Sequence, residues 1–182
     1  MSGFERFNID SKFDYDISKY DKLIQNYKSN PYLYLNRRYD MYTKVFEFEN
    51  TDFKLELMIL KSPNGVFTLH IKDPSTEIQS LKFNEKLFKA PASKNANTLT
   101  KDDELLTLNV NGAEGLSVKI GITFKLIELT QELENDIKPI YSQLYDKNYL
   151  FMAQLASNRP IDNWTLTQPR IQDGDNQDLE EE

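Results

Sequence analysis

Strict alternation of apolar and polar positions dominates two stretches of the chain. In the first, Phe46 and Phe48 alternate with Glu47 and Glu49, Phe53, Leu55, Leu57 and Ile59 with Lys54 and Glu56, and Phe67, Leu69 and Ile71 with Thr68, His70 and Lys72. Side chains two residues apart share one face of a pleated strand, so these runs predict a three-stranded antiparallel meander. Asn50-Thr51-Asp52 makes its first connection. Ser62-Pro63-Asn64-Gly65 makes the second, with Pro where a fixed φ helps and Gly where φ turns positive. Met58 and Leu60 put apolar groups on the nominally outer face as well, which predicts a middle strand covered on both sides. In the second stretch, 105–129, Leu106, Leu108 and Val110 precede Asn111-Gly112 and Gly115; Leu116, Val118, Ile120, Ile122, Phe124 and Leu126 then resume the apolar face. This predicts a hairpin whose second arm is too long for an ordinary strand, with Gly121 marking a bend where the sheet curls. Leu55, Leu57, Leu108, Val118, Ile120 and Phe124 are the predicted core of the central sheet formed by both stretches.

Other segments carry weaker patterns. Ile17, Tyr20, Leu23, Ile24 and Tyr27 lie on one face of a short helix that Asp16 can cap and Ser29-Asn30-Pro31 ends. Residues 78–83 read as a short strand, and 86–103, with Pro91, small residues and four lysines, as a long loop. From Thr130 or Asp136, the residues Leu133, Ile137, Ile140, Leu144, Phe151 and Leu155 approximate a helical stripe beside a row of Tyr141, Tyr145 and Tyr149, stopped at Asn158-Arg159-Pro160. The expected fold is therefore a β-rich α+β domain: an antiparallel five- or six-stranded coiled sheet or OB-like barrel with flanking N- and C-terminal helices. The expected organisation is an N-terminal helical arm over 1–30, the sheet domain with its C-terminal helix over 31–160, and an extended arm and acidic tail over 161–182.

Composition narrows the chemistry. The 182 residues suffice for one domain with a substantial core, and the absence of cysteine removes disulfides, thiolate chemistry and every Cys-ligated zinc site. A reducing, cytoplasmic location is expected, because residues 1–10 lack a secretory signal's basic start and apolar core and no apolar run is long enough to span a membrane. The net charge of −7 is a property of the tail: Asp173, Asp175, Asp178, Glu180, Glu181 and Glu182 face no basic residue after Arg170, and setting those six aside leaves 22 basic and 23 acidic groups. His70 is the only imidazole, so one chain cannot assemble a His-pair metal site or a Ser-His-Asp triad. Its alternation puts it on the outer face of a strand, where a surface or rim position is expected. No phosphate-binding glycine motif is present, and Asp102, Asp103 and Glu104 are neighbours in a turn, whereas acid-base work needs carboxylates that converge across a cleft. No catalytic residue, metal or cofactor is expected.

Binding is what remains. Tyr32, Tyr34, Tyr39 and Tyr42 surround Arg37 and Arg38 and lead into Lys44. Tyr offers a stacking face and Arg a planar phosphate-pairing fork, a mixture that suits single-stranded nucleic acid, with Lys89 and Lys94 of the long loop positioned to follow a backbone. The layout of a β-rich body with Tyr, Arg and Lys side chains and an acidic C-terminal tail resembles the single-stranded DNA-binding proteins of phage and bacterial replication systems. That resemblance implies a non-catalytic DNA-binding protein whose tail contacts partner proteins and competes with DNA for the basic surface. The usual terminal aromatic of that family is absent, since the chain ends Asp178-Leu179-Glu180-Glu181-Glu182. The competing expectations are a non-enzymatic interaction or structural subunit, viral or of another assembly, and an acidic inhibitor of a basic protein site. For these the partner surface is Trp164 with the aromatic arms, or the tail carboxylates, and self-association is one way to use it.

Overall fold

The alternating run around Leu57 folds as its pattern predicts. In the computed structural model, which describes residues 35, 38–72, 74, 77–88, 97–141, 148–156 and 161–170, β1 (Asp40–Glu47), β2 (Lys54–Lys61) and β3 (Val66–Ile71) form a continuous antiparallel meander. Asn50 (φ 64°) and Gly65 (φ 81°) supply the left-handed positions of its two turns, and Gly65 N–H closes the second by donating to Ser62 C=O at 3.0 Å. The remaining strands are β4 (Ile78–Phe83), β5 (Thr98–Leu99), β6 (Leu106–Val110), β7 (Ala113–Val118), β8 (Phe124–Leu129), β9 (Tyr149–Leu155) and β10 (Thr165–Gln168). They build two open antiparallel sheets, a seven-stranded one in the order β10-β1-β2-β3-β9-β8-β5 and a three-stranded one in the order β4-β6-β7. Among the described residues no barrel closes, and the strands number more than the five or six the pattern suggested, because the hairpin's second arm divides into β7 and β8 and 98–99, 149–155 and 165–168 add to it.

One hydrophobic core is shared by both sheets. Leu57, Ile59, Phe67, Leu69, Phe124 and Phe151 enter from the larger sheet and Leu81, Phe83, Leu106, Leu108 and Val118 from the smaller. Phe124 and Phe151 stack with centroids 4.9 Å apart, and Phe67 meets each edge-on at 5.8 Å, an arrangement aromatic quadrupoles favour. All six predicted core residues are buried. The chain passes between the sheets once within the long apolar run. β6 and β7 pair around the two-residue Asn111-Gly112 turn, Gly115 (φ 67°) forms a bulge, and after Val118 the left-handed Gly121 (φ 75°) redirects the chain into β8. The bend expected at Gly121 is thus a change of sheet.

The C-terminal helix is a correction. The described part of 130–155 consists of two single-turn 3₁₀ helices, Gln131–Glu134 and Lys138–Tyr141, followed by strand β9 between β3 and β8. The spacing misled because residues four apart, such as Phe151 and Leu155, share a face on a strand as well as on a helix. A bulge at Leu150 buries a further residue between Tyr149 and Phe151 that a regular strand would turn outward. The helix expected at 17–29 lies outside the described residues. The covered middle strand is observed: Met58 and Leu60 are buried on the outer face of β2 with Met41, and Leu35 and Tyr39 pack against them.

Candidate interaction site at the β10 edge

The segment expected to bind nucleic acid is described at four of its candidate residues, Arg38, Tyr39, Tyr42 and Lys44. Strand alternation sends Tyr39 to the outer-face cluster of Met41, Met58 and Leu60, and Tyr42 to the opposite face, where it joins the main core. Burial, then the Asp40 carboxylate, holds the Tyr42 phenol above its ordinary value. Lys44 is half-buried with its Nζ 5.1 Å from the centroid of Phe46, and Arg38 is exposed. The structure therefore does not bring Tyr39, Tyr42 and Lys44 onto one surface. Tyr32, Tyr34, Arg37, Lys89, Lys94 and the tail carboxylates Asp173, Asp175, Asp178, Glu180, Glu181 and Glu182 lie outside the described residues.

The groups with acid-base potential are engaged locally. His70 is on the outer face as its alternation predicts, but it is buried, correcting the surface or rim placement. Its Nδ1–H donates to Asn148 Oδ1 at 2.9 Å, which leaves Nε2 to accept the Thr68 hydroxyl at 2.8 Å, and Tyr149 meets the ring edge-on. Burial lowers its pKa to about 4, against the smaller opposing pull of the Asn148 oxygen. The neighbouring carboxylates diverge. Asp103 pairs with Lys86 and accepts Thr100 N–H and the Thr100 hydroxyl at 2.8 Å, bonds that in that order hold its carboxyl down at about 2. Glu104 accepts the Ser117 hydroxyl. A shallow cleft of about 360 Å³ beside them is lined by Lys82, Phe83, Asn84, Glu85, Glu104 and Thr107. Among the described residues no group of three or more potential ligands can hold a metal ion, and no helix is long and apolar enough to cross a membrane.

Trp164 organises a more specific feature. Its side chain, expected to anchor the arm on the body or on another subunit, is buried against its own chain: Nε1–H donates to Ile120 C=O at 3.0 Å and the ring meets Phe46 edge-on at 6.3 Å. This bond ties the arm to the crossover at Gly121. β10 then lies antiparallel on β1, held by the Thr167 hydroxyl donating to Met41 C=O (3.2 Å) and by Arg170 N–H donating to Asp40 Oδ1 (3.0 Å). The result is an anchored edge strand, Thr-Leu-Thr-Gln, whose Leu166 is 47 % exposed. The extended arm expected here forms a strand over 165–168. The signal for it was four uncharged residues, two of them β-branched, between an aromatic anchor and Pro169.

The other sheet edges are poorer docking lines. β5 has two residues. The outer edge of β4 is occupied by the 131–141 segment, with Phe83 N–H donating to Glu134 Oε1 (2.7 Å) and the Tyr141 hydroxyl to Ile78 C=O (3.2 Å). β7 exposes Glu114 and breaks its ladder at Gly115. Charge, shortness, bulges and coverage are the devices by which sheet edges avoid pairing; β10 is four residues long and bulged at Thr167, but it has no charge and is exposed at its Thr165, Leu166 and Thr167 side chains. No family model matches the chain, and no curated protein is significantly similar to it.

Proposed function

We propose that the chain is a non-catalytic interaction or structural subunit that meets protein partners through the β10 edge, with the acidic 171–182 segment as a second, electrostatic contact. The observation that carries this reading is the anchored, uncharged edge strand with Leu166 turned to solvent. An exposed ladder of backbone donors and acceptors adds a partner's strand without any side-chain chemistry, and an apolar side chain at its centre supplies the desolvated contact. Support for a non-catalytic role comes from the engagement of His70, Asp103 and Glu104 in local bonds. Binding of single-stranded DNA through Tyr32, Tyr34, Arg37, Arg38, Tyr39, Tyr42 and Lys44 is the competing reading. It draws less support, because Tyr42 is in the core and Lys54, Lys72 and Lys86 are ion-paired to Glu47, Glu56 and Asp103.

Two measurements separate these readings. A photo-crosslinking residue at position 166 of the full chain, in the cells that make it, is expected to yield a defined protein adduct that the same residue at position 112 does not. Anisotropy titration of a labelled single-stranded oligonucleotide is expected to show no binding at low salt. Oligonucleotide binding that weakens steeply with salt and strengthens when 171–182 is removed overturns the proposal in favour of the DNA reading.

A further inference from the structure

We propose that Asn111 is a site of spontaneous covalent modification, converted through a cyclic imide to aspartate and isoaspartate with Gln79 assisting, while the fold protects Asn64. These two residues begin the chain's two Asn-Gly pairs, and both pairs occupy turns. The reaction joins the glycine nitrogen to the asparagine side-chain carbonyl, so it is favoured by a glycine, which has no β-carbon in the way, and by a free N–H. Gly112 meets both conditions. It is exposed, a Cβ built on it would meet nothing within 4 Å, and among the described residues no hydrogen bond engages its N–H. Gly65 is buried, its N–H donates to Ser62 C=O at 3.0 Å, and its C=O accepts Leu155 N–H at 3.0 Å. Asn64 is held as well, its Oδ1 accepting Val66 N–H at 3.1 Å and its C=O accepting the Gln154 amide at 3.0 Å.

Gln79 supplies the polarisation at Asn111. Its Nε2 donates to Asn111 Oδ1 at 2.6 Å, the oxygen that takes up negative charge when the side-chain carbonyl is attacked. The steps balance with water as the sole co-reactant. Solvent base takes the Gly112 N–H proton, the nitrogen bonds to Asn111 Cγ, and the Cγ–Nδ2 bond breaks as Nδ2 gains a proton and leaves as ammonia. Water then opens the imide at either carbonyl, giving aspartate or isoaspartate. Both products add a carboxylate close to Glu114, at the start of β7. Isoaspartate also carries the main chain through its Cβ and Cγ, which lengthens by one atom a turn in which Val110 pairs directly with Ala113. The β6–β7 hairpin is therefore expected to loosen in the isoaspartate form.

The test uses the full chain, purified and incubated at neutral to mildly alkaline pH. Peptide mass mapping at intervals follows the exchange of amide for acid at each site, and enzymatic methylation of isoaspartate gives a second readout. Asn111 should convert about tenfold or more faster than Asn64. Its rate should rise with pH, as the Gly112 amide proton becomes easier to remove. In a sample unfolded by denaturant the two sites should react at similar rates, because the fold and not the Asn-Gly pair itself separates them. Gln79→Ala, at an exposed position, should slow conversion at Asn111 several-fold with an unchanged circular dichroism spectrum. Gln79→Glu, which keeps the shape but replaces the donor with a carboxylate, should slow it further. Comparable rates at the two sites in the folded chain, an equally wide gap in the unfolded one, or an Asn111 rate that neither Gln79 variant changes overturns the inference.

Discussion

His70 ties stability to proton concentration through a single group. Its folded pKa of about 4 lies below the ordinary 6.5, because protonation would place a charge in a site closed to water. Between those two values the unfolded chain binds a proton that the folded chain does not, so stability falls as pH is lowered through the window. The loss should reach about 3 kcal/mol by pH ~4 and should be absent above pH ~7. Since His70 is the only histidine, urea melts at several pH values between these limits should give a slope near one proton for the wild type and a flatter line for His70→Gln. Equal slopes would mean that the imidazole titrates normally. Trp164 makes a second residue-level claim. Trp164→Ala removes a buried indole and should cost about 3 to 5 kcal/mol. Trp164→Phe keeps most of the packing, leaves Ile120 C=O without its donor, and should cost about 1 to 3 kcal/mol. Amide hydrogen exchange over 165–168 should quicken in both variants, most in the first, and unchanged exchange would show that β10 holds its place without the anchor.

At the scale of elements, the crossover at Gly121 sets the two-sheet arrangement. A Cβ added there meets no atom nearer than Lys44 Nζ at 4.0 Å, so Gly121→Ala is not excluded by space, and its cost comes from the left-handed backbone alone. About 1 to 2 kcal/mol is expected, measured as a shift of the denaturation midpoint without a change in slope. A much larger loss would mean that the crossover requires freedom beyond its φ. The same element shows how far periodicity reaches. Alternation from Leu116 to Leu126 correctly marks one buried face, but that face belongs first to β7 and then to β8, strands of different sheets. Local pattern reports which side of the chain avoids water. It does not report which neighbour covers that side.

Among the described residues the main core is closed by two sheets, and its centre is where truncation should hurt most. Leu57→Ala and Ile120→Ala each remove a side chain at most 3 % exposed and should cost about 2 to 5 kcal/mol in denaturant melts. A cost below about 0.5 kcal/mol for both, the level of an ordinary surface substitution, would contradict the core described. The outer face of the large sheet adds a second buried region around Met41, Met58 and Leu60, so the β2 strand is covered on both faces as its continuous apolar run from Leu57 to Leu60 implies. The candidate site is a product of this scale. Leu166 becomes an exposed edge group because β10 pairs with β1 and Trp164 reaches Ile120 and Phe46, residues more than forty positions away.

Alternation in the sequence by itself determined the β class, a three-stranded meander through Phe46, Leu57 and Leu69, the 78–83 strand, a hairpin about the 111–115 link and the core residues on those strands. Each of these follows from a two-residue period or a glycine's backbone freedom, which are local. Tertiary structure alone decided the rest. Residues 149–155 are a strand because β3 and β8 offer ladders on both sides, although their spacing fits a helix equally well. Tyr39 and Tyr42 read as one aromatic cluster in a line of letters, but a pleated backbone with both faces buried sends them into different environments. His70 is closed off from water by a covered outer face, and β10 is an edge because nothing among the described strands pairs beyond it. Partner choice, coverage and edges depend on contacts between residues far apart in the chain, and no local period carries that information.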